Sequence, residues 1–154
     1  MSVSVQTADF DVSQELVRFR DGNAGVGAVV SFVGTVRDMS AGETVFTMEL
    51  EHYPGMTEKA LGQIVAEAKT RWPVLATRII HRIGSLSPTD QIVLVAVATV
   101  HRADAFAACQ FIIDVLKTRV PFWKREETPS GSRWLEAKES DIRKEQKWQK
   151  EEAA

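Results

Sequence analysis

The sequence predicts an α+β fold, a single compact domain with a mixed or antiparallel sheet, and three features predict it. Runs at 28–36, 76–83 and 91–100 have the β-branched content of strands, and Phe46, Met48 and Leu50 alternate with polar neighbours at period two. The segments 57–72 and 103–117 repeat apolar residues at helical spacing. Their order lacks the regular β-α-β alternation of a doubly wound sheet.

Taken in order, 3–6 reads as a short strand. Asp11 or Ser13 can cap a small helix with Leu16, Val17 and Phe19 on its inner side. Gly22, Gly25 and Gly27 form a loop into 28–36, which is expected to be a buried strand, and 40–42 is turn-like. Pro54-Gly55 breaks the half-buried strand through Phe46, Met48 and Leu50. The helix that follows puts Ala60, Leu61, Ile64, Val65, Ala68 and Trp72 inward and stops at Pro73. The strands 76–83 and 91–100 are joined by the turn-rich Gly84-Ser85-Leu86-Ser87-Pro88. The second long helix is apolar around much of its circumference (Phe106, Cys109, Ile112, Ile113, Leu116), as a central, buried helix is. Val120-Pro121-Phe122-Trp123 forces an extended or turning segment. The chain is dominated by charge from Glu136 onward, so the domain is expected to span 1–141, with 142–154 a charged tail or frayed helix.

A chain of 154 residues fits one domain able to bury its own core. The net charge of -2 argues against nucleic acid or an anionic membrane as a general partner, so any affinity for anions must be local. One cysteine, Cys109, excludes an intramolecular disulfide. The N-terminus has no signal-peptide pattern and the longest apolar run, 92–100, is too short to span a bilayer, so the expected location is the cytoplasm.

Several chemistries lack their residues. His52, His81 and His101 are scattered and show no metal-ligand spacing with Cys109, and no phosphate loop, dinucleotide fingerprint or nucleophile elbow is present. Residues 116–125 stand out instead: four of the ten, Lys117, Arg119, Lys124 and Arg125, are cationic and none is acidic. Lys117 closes a mostly apolar helix, where the dipole favours a cation. Pro121, Phe122 and Trp123 can bend the chain so that Lys124 returns toward Lys117. Two amines held together in a partly buried site repel, which favours the neutral form needed for proton transfer or nucleophilic attack. A solvated helix end is the alternative, and both readings fit the charge run. Arg37 after one strand, and His101-Arg102 between another strand and a helix, stand where an anion can be held, or where surface residues simply end a strand. Cys109, within the buried helix, reads as a small core residue, and His52 as structural.

Longer stretches are similar to a known family. Residues 27–38, Leu50-Glu51-His52-Tyr53-Pro54-Gly55-Met56, His81-Arg82-Ile83-Gly84, His101-Arg102 and Leu116-Lys117-Thr118-Arg119 followed by Pro121-Phe122-Trp123-Lys124 resemble the molybdopterin synthase large-subunit family. The resemblance runs from about Val3 to Asp141. It implies an α/β-hammerhead fold and a homodimer that takes a small ubiquitin-like sulfur carrier at each end, a heterotetramer in all. The carrier's Gly-Gly tail would bring sulfur as a thiocarboxylate, in two rounds, to cyclic pyranopterin monophosphate. Lys117 and Lys124 match the lysines of that reaction centre. Arg37, His101 and Arg102 match residues that hold the pterin and its phosphate, and Arg125 and Glu126 fall in the same binding stretch. Neither metal nor cofactor is implied, because the sulfur arrives on a partner's carboxyl carbon. The chain departs from the pattern at Thr35, where relatives carry Lys, at Thr89-Asp90, where Gly-Asp is expected, and at Lys138 in place of Arg. Two other classes remain to be weighed: a non-catalytic module that docks a ubiquitin-like tail, and an RNA- or phosphate-ester-binding domain resting on the basic cluster.

Overall fold

A computed structural model describes residues 2–135 and 139–153. In chain order the elements are β1 (Val3–Gln6), α1 (Val12–Arg20), β2 (Ala28–Thr35), β3 (Met39–Ser40), β4 (Glu43–Thr44), β5 (Thr47–His52), α2 (Met56–Arg71), β6 (Val74–Arg82), β7 (Gly84–Leu86), β8 (Gln91–Thr99), α3 (Arg102–Arg119), β9 (Phe122–Thr128), β10 (Gly131–Leu135) and α4 (Glu139–Ala153). Among the described residues no helix is long and apolar enough to cross a membrane.

The first sheet has the order β1-β6-β8-β2, with β1 parallel to β6 and the other pairs antiparallel. Its centre explains its sequence. Val93, Val95 and Val97 of β8 point into the cluster built with α2 and α3, while Leu94, Ala96 and Ala98 point into the cluster under α1. A strand covered on both faces has no polar side, hence the unbroken apolar run. α3 supplies Ala108, Phe111, Ile112 and Val115 to the core, all fully buried. Asp11 caps α1 by accepting from the Gln14 N–H, and Glu15 ties that helix to Arg78 on β6 at 3.1 Å.

The second sheet, β10-β9-β5-β7, is antiparallel throughout. The chain passes from the first sheet to the second at Gly84, whose φ of 88° turns the corner between β6 and β7. Val36, Leu50 and Leu86 form its own small core.

Several local expectations are corrected by this arrangement. Strand 28–36 is buried only at its last residue, Val36: β2 is the edge of its sheet and Phe32 is 37% exposed, since β-branched content marks a strand without marking its place. Val17 faces solvent, because it lies two residues from the buried Phe19 and so on the other side of α1. Phe46 and Phe106 are also exposed. The charged residues after Pro121 form a hairpin, β9–β10, that their composition concealed.

The C-terminal segment is a docked helix. Trp148 meets Trp72 and Phe111 edge-on at 5.6 and 5.5 Å, and its Nε1 donates to the buried Asp114 carboxylate at 2.9 Å. This indole, together with Glu145, which accepts from Thr118 and Arg119, fastens a mostly polar helix to α3.

Candidate active site

α3 ends with Lys117 and Arg119 in its last turn, where unpaired carbonyls favour cations. Val120 leaves the helix in an extended conformation, and Pro121, lacking an N–H, sets the chain off as β9. β9 pairs antiparallel with β5, Lys124 opposite Leu50 and Phe122 opposite His52. Side chains on a strand alternate, so Phe122, Lys124 and Glu126 share one face and Trp123, Arg125 and Glu127 the other. The first three, together with Lys117, line a cavity of about 760 Å³ between the two sheets, a size suited to a small-molecule site.

Other elements complete the walls. Thr35 and Arg37 enter from the end of β2, with Val36 between them held by backbone bonds to Thr89 and Asp90. Ser140, Asp141 and Lys144 come from α4. Glu126, only 2% exposed, accepts from Arg133 Nε at 3.3 Å, and Arg133 also donates to the Ser40 carbonyl, so the β3–β4 hairpin is held against β10.

His81 of β6 forms part of the same cavity and is 2% exposed. Burial drives its pKa from 6.5 down to about 3; the Arg82 carbonyl opposes this, while the charges of Lys124, Lys117 and His52 add to it. The ring is neutral at physiological pH. Its place in the run Ile79-Ile80-His81 was the available sign: a polar residue inside an apolar strand.

The residues singled out by sequence are thus divided. Lys117, Lys124, Arg37 and Glu126 meet in one cavity. Arg125 lies on the far face of β9, bonded to Glu49 at 2.7 Å. His101 and Arg102 are exposed at the start of α3, and a rise of about 1.5 Å per residue puts Arg102 roughly 22 Å from Lys117. Lys138 lies outside the described residues. Cys109 is buried, its thiol pushed up to about 11 by desolvation, and donates weakly to the Val95 carbonyl at 3.7 Å. His52 sits 3.5 Å from Glu58. Chemically, the cavity offers a group of cations in a partly dehydrated space, where they act on an anion more strongly than in water.

Residues 5–119 match the family described as MoaE protein. The molybdopterin synthase catalytic subunit of Pseudomonas aeruginosa is 55% identical over 149 residues, covering 97% of this chain and 99% of the relative. The solved structure of the molybdopterin biosynthesis MoaE protein from Burkholderia ambifaria is 51% identical, covers 96% of this chain and 98% of its own, and superposes with a TM-score of 0.81. A more distant structure, the protein–protein complex of subunits 1 and 2 of molybdopterin-converting factor from Helicobacter pylori, is 18% identical, covers 90% of this chain and 92% of its own at a TM-score of 0.70, and shares the fold. The chain belongs to the MoaE family, the catalytic subunits of molybdopterin synthase, enzymes of molybdenum-cofactor biosynthesis.

Proposed function

We propose that the cavity receives two anions at once, the thiocarboxylate tail of a small ubiquitin-like carrier and cyclic pyranopterin monophosphate, and passes sulfur from the first to the second in two rounds. The observation that carries this reading is the convergence of Lys117, from the end of α3, and Lys124, from β9, on one space. The solved complex of two subunits from Helicobacter pylori supports the small partner.

Lys117 stands next to the thiocarboxylate. The sulfur forms a bond to a carbon of the pterin side chain, and the displaced oxygen takes up a proton, which an ammonium can supply. Water then cleaves the acyl–sulfur bond, and the carrier leaves as a carboxylate. Lys117 and Lys124 stabilise the negative charge that develops at each stage. Arg37 holds the phosphate at the rim. His101 and Arg102 are too far along α3 to reach the same cavity, so they serve the cavity of a second copy in a homodimer; two carriers make the assembly a heterotetramer.

The test uses the purified chain, the carrier with its thiocarboxylate labelled by radioactive sulfur, and the pterin precursor. Label recovered in the pterin supports the proposal. Label that stays on the carrier, with both proteins folded, overturns it.

A further inference from the structure

The cations of the cavity suit the anionic ends of its ligands, but a pterin also carries N–H and O–H groups. In a partly dehydrated space each of these needs an acceptor, because a buried donor left unpaired loses its hydration without return. His81 has the features of such an acceptor. Its ring is held against Phe122, centroids 3.8 Å apart and planes at 21°. Its Nδ1 lies 2.8 Å from the Arg82 carbonyl. A carbonyl only accepts, so Nδ1 carries the ring proton and Nε2 is left with its lone pair. The residue that supplies this carbonyl is itself fixed, with the Arg82 guanidinium donating to the Thr7 and Gln91 carbonyls. Lys117 and Lys124 oppose a second proton on the ring. Tautomer, plane and charge are therefore set before any ligand arrives, a degree of preparation that filling a core position would not require.

We propose that His81 is a substrate-binding residue of the cavity, whose Nε2 accepts a hydrogen bond from an N–H or O–H of the bound pterin. The assignment rests on the reading of the cavity given above. It deepens that reading by dividing the labour: cations hold the phosphate and the carrier tail, and a neutral imidazole orients the ring system.

The test compares the wild type with His81→Phe, which keeps the stack but has no acceptor, and His81→Gln, whose amide oxygen can stand near Nε2. Binding of cyclic pyranopterin monophosphate and of the carrier is measured separately, with sulfur transfer as the second readout. For His81→Phe the expected result is a fall of about tenfold to a hundredfold in pterin affinity and a matching rise in KM, with carrier binding within about twofold; His81→Gln recovers most of it. Unchanged pterin affinity in folded His81→Phe overturns the assignment, as does an equal loss for both ligands. Should the variants fold poorly, the imidazole ¹⁵N shifts of the wild type decide: Nε2 moves when the pterin is added if it accepts a bond, and an unmoved resonance overturns the assignment. A wild type that binds no pterin would instead remove the underlying reading of the cavity.

Discussion

The imidazole of His81 stacks on the ring of Phe122 with 3.8 Å between centroids, joining β6 of one sheet to β9 of the other. Lys124 lies two residues beyond Phe122 on the same face of β9. The stack thus fixes the cavity wall from which the second lysine projects.

This buried ring makes the fold sensitive to acid. Unfolded, His81 titrates near 6.5; folded, at about 3. Between those values the unfolded chain holds more protons, so stability rises with pH. The contribution is complete above about 6.5 and is lost as the pH falls toward 3. Urea unfolding across that window should show a slope from this group approaching about 1.4 kcal/mol per pH unit. His81→Phe should flatten the curve by that amount; an unchanged slope would show that the ring does not titrate this way.

Thr89 holds a φ of 79°, a region that a β-branched residue resists. Its N–H nevertheless donates to the Val36 carbonyl at 2.8 Å, directly before Arg37. Thr89→Gly removes the strain at some cost in chain entropy, and a net gain of about 0.5–1 kcal/mol is expected. Thermal or urea unfolding checks it, and a loss of stability would mean that the threonine side chain contributes more than its backbone costs.

Trp148 is the main apolar anchor of α4, and Asp114 depends on its Nε1 donor together with Gln110. Trp148→Ala should cost about 3 kcal/mol. Loss of helical signal at denaturant concentrations below the main transition would show α4 leaving first. Sulfur transfer should fall with it, since Ser140, Asp141 and Lys144 line the cavity.

The parts of this molecule that were legible in its sequence are those governed by local pattern. β8 reads as a strand from its unbroken, β-branched apolar run, and α3 as a buried helix because it is apolar around much of its circumference. The position of a strand within a sheet is not local, which is why β2 reads as buried although it forms an edge. β9 was hidden differently: of the cavity-facing Phe122, Lys124 and Glu126 only the first is apolar, while Trp123 on the other face is apolar beside Arg125 and Glu127, so no apolar–polar alternation shows. His81 matters through residues distant in the chain, Phe122 and the two lysines, and only the fold brings them to it. For α4, a single indole among charged neighbours is too sparse a period to show which side docks.

On the proposed homodimer, the separation of Arg102 from Lys117 predicts complementation between subunits. Lys117→Ala and Arg102→Ala should each be nearly inactive alone. Mixed under conditions that exchange subunits, they should regain about a quarter of wild-type activity, since half the dimers then carry one intact site. Activity that stays absent in proven mixed dimers would place both residues in one subunit's site or in none.

The most direct measurement is single-turnover sulfur transfer by Lys117→Ala, with thiocarboxylated carrier and pterin saturating and the fold verified by its unfolding transition. A fall of about a hundredfold or more in rate, with carrier still bound, is the expected result. A rate within a fewfold of wild type would show that the amine at the end of α3 takes no part in the reaction.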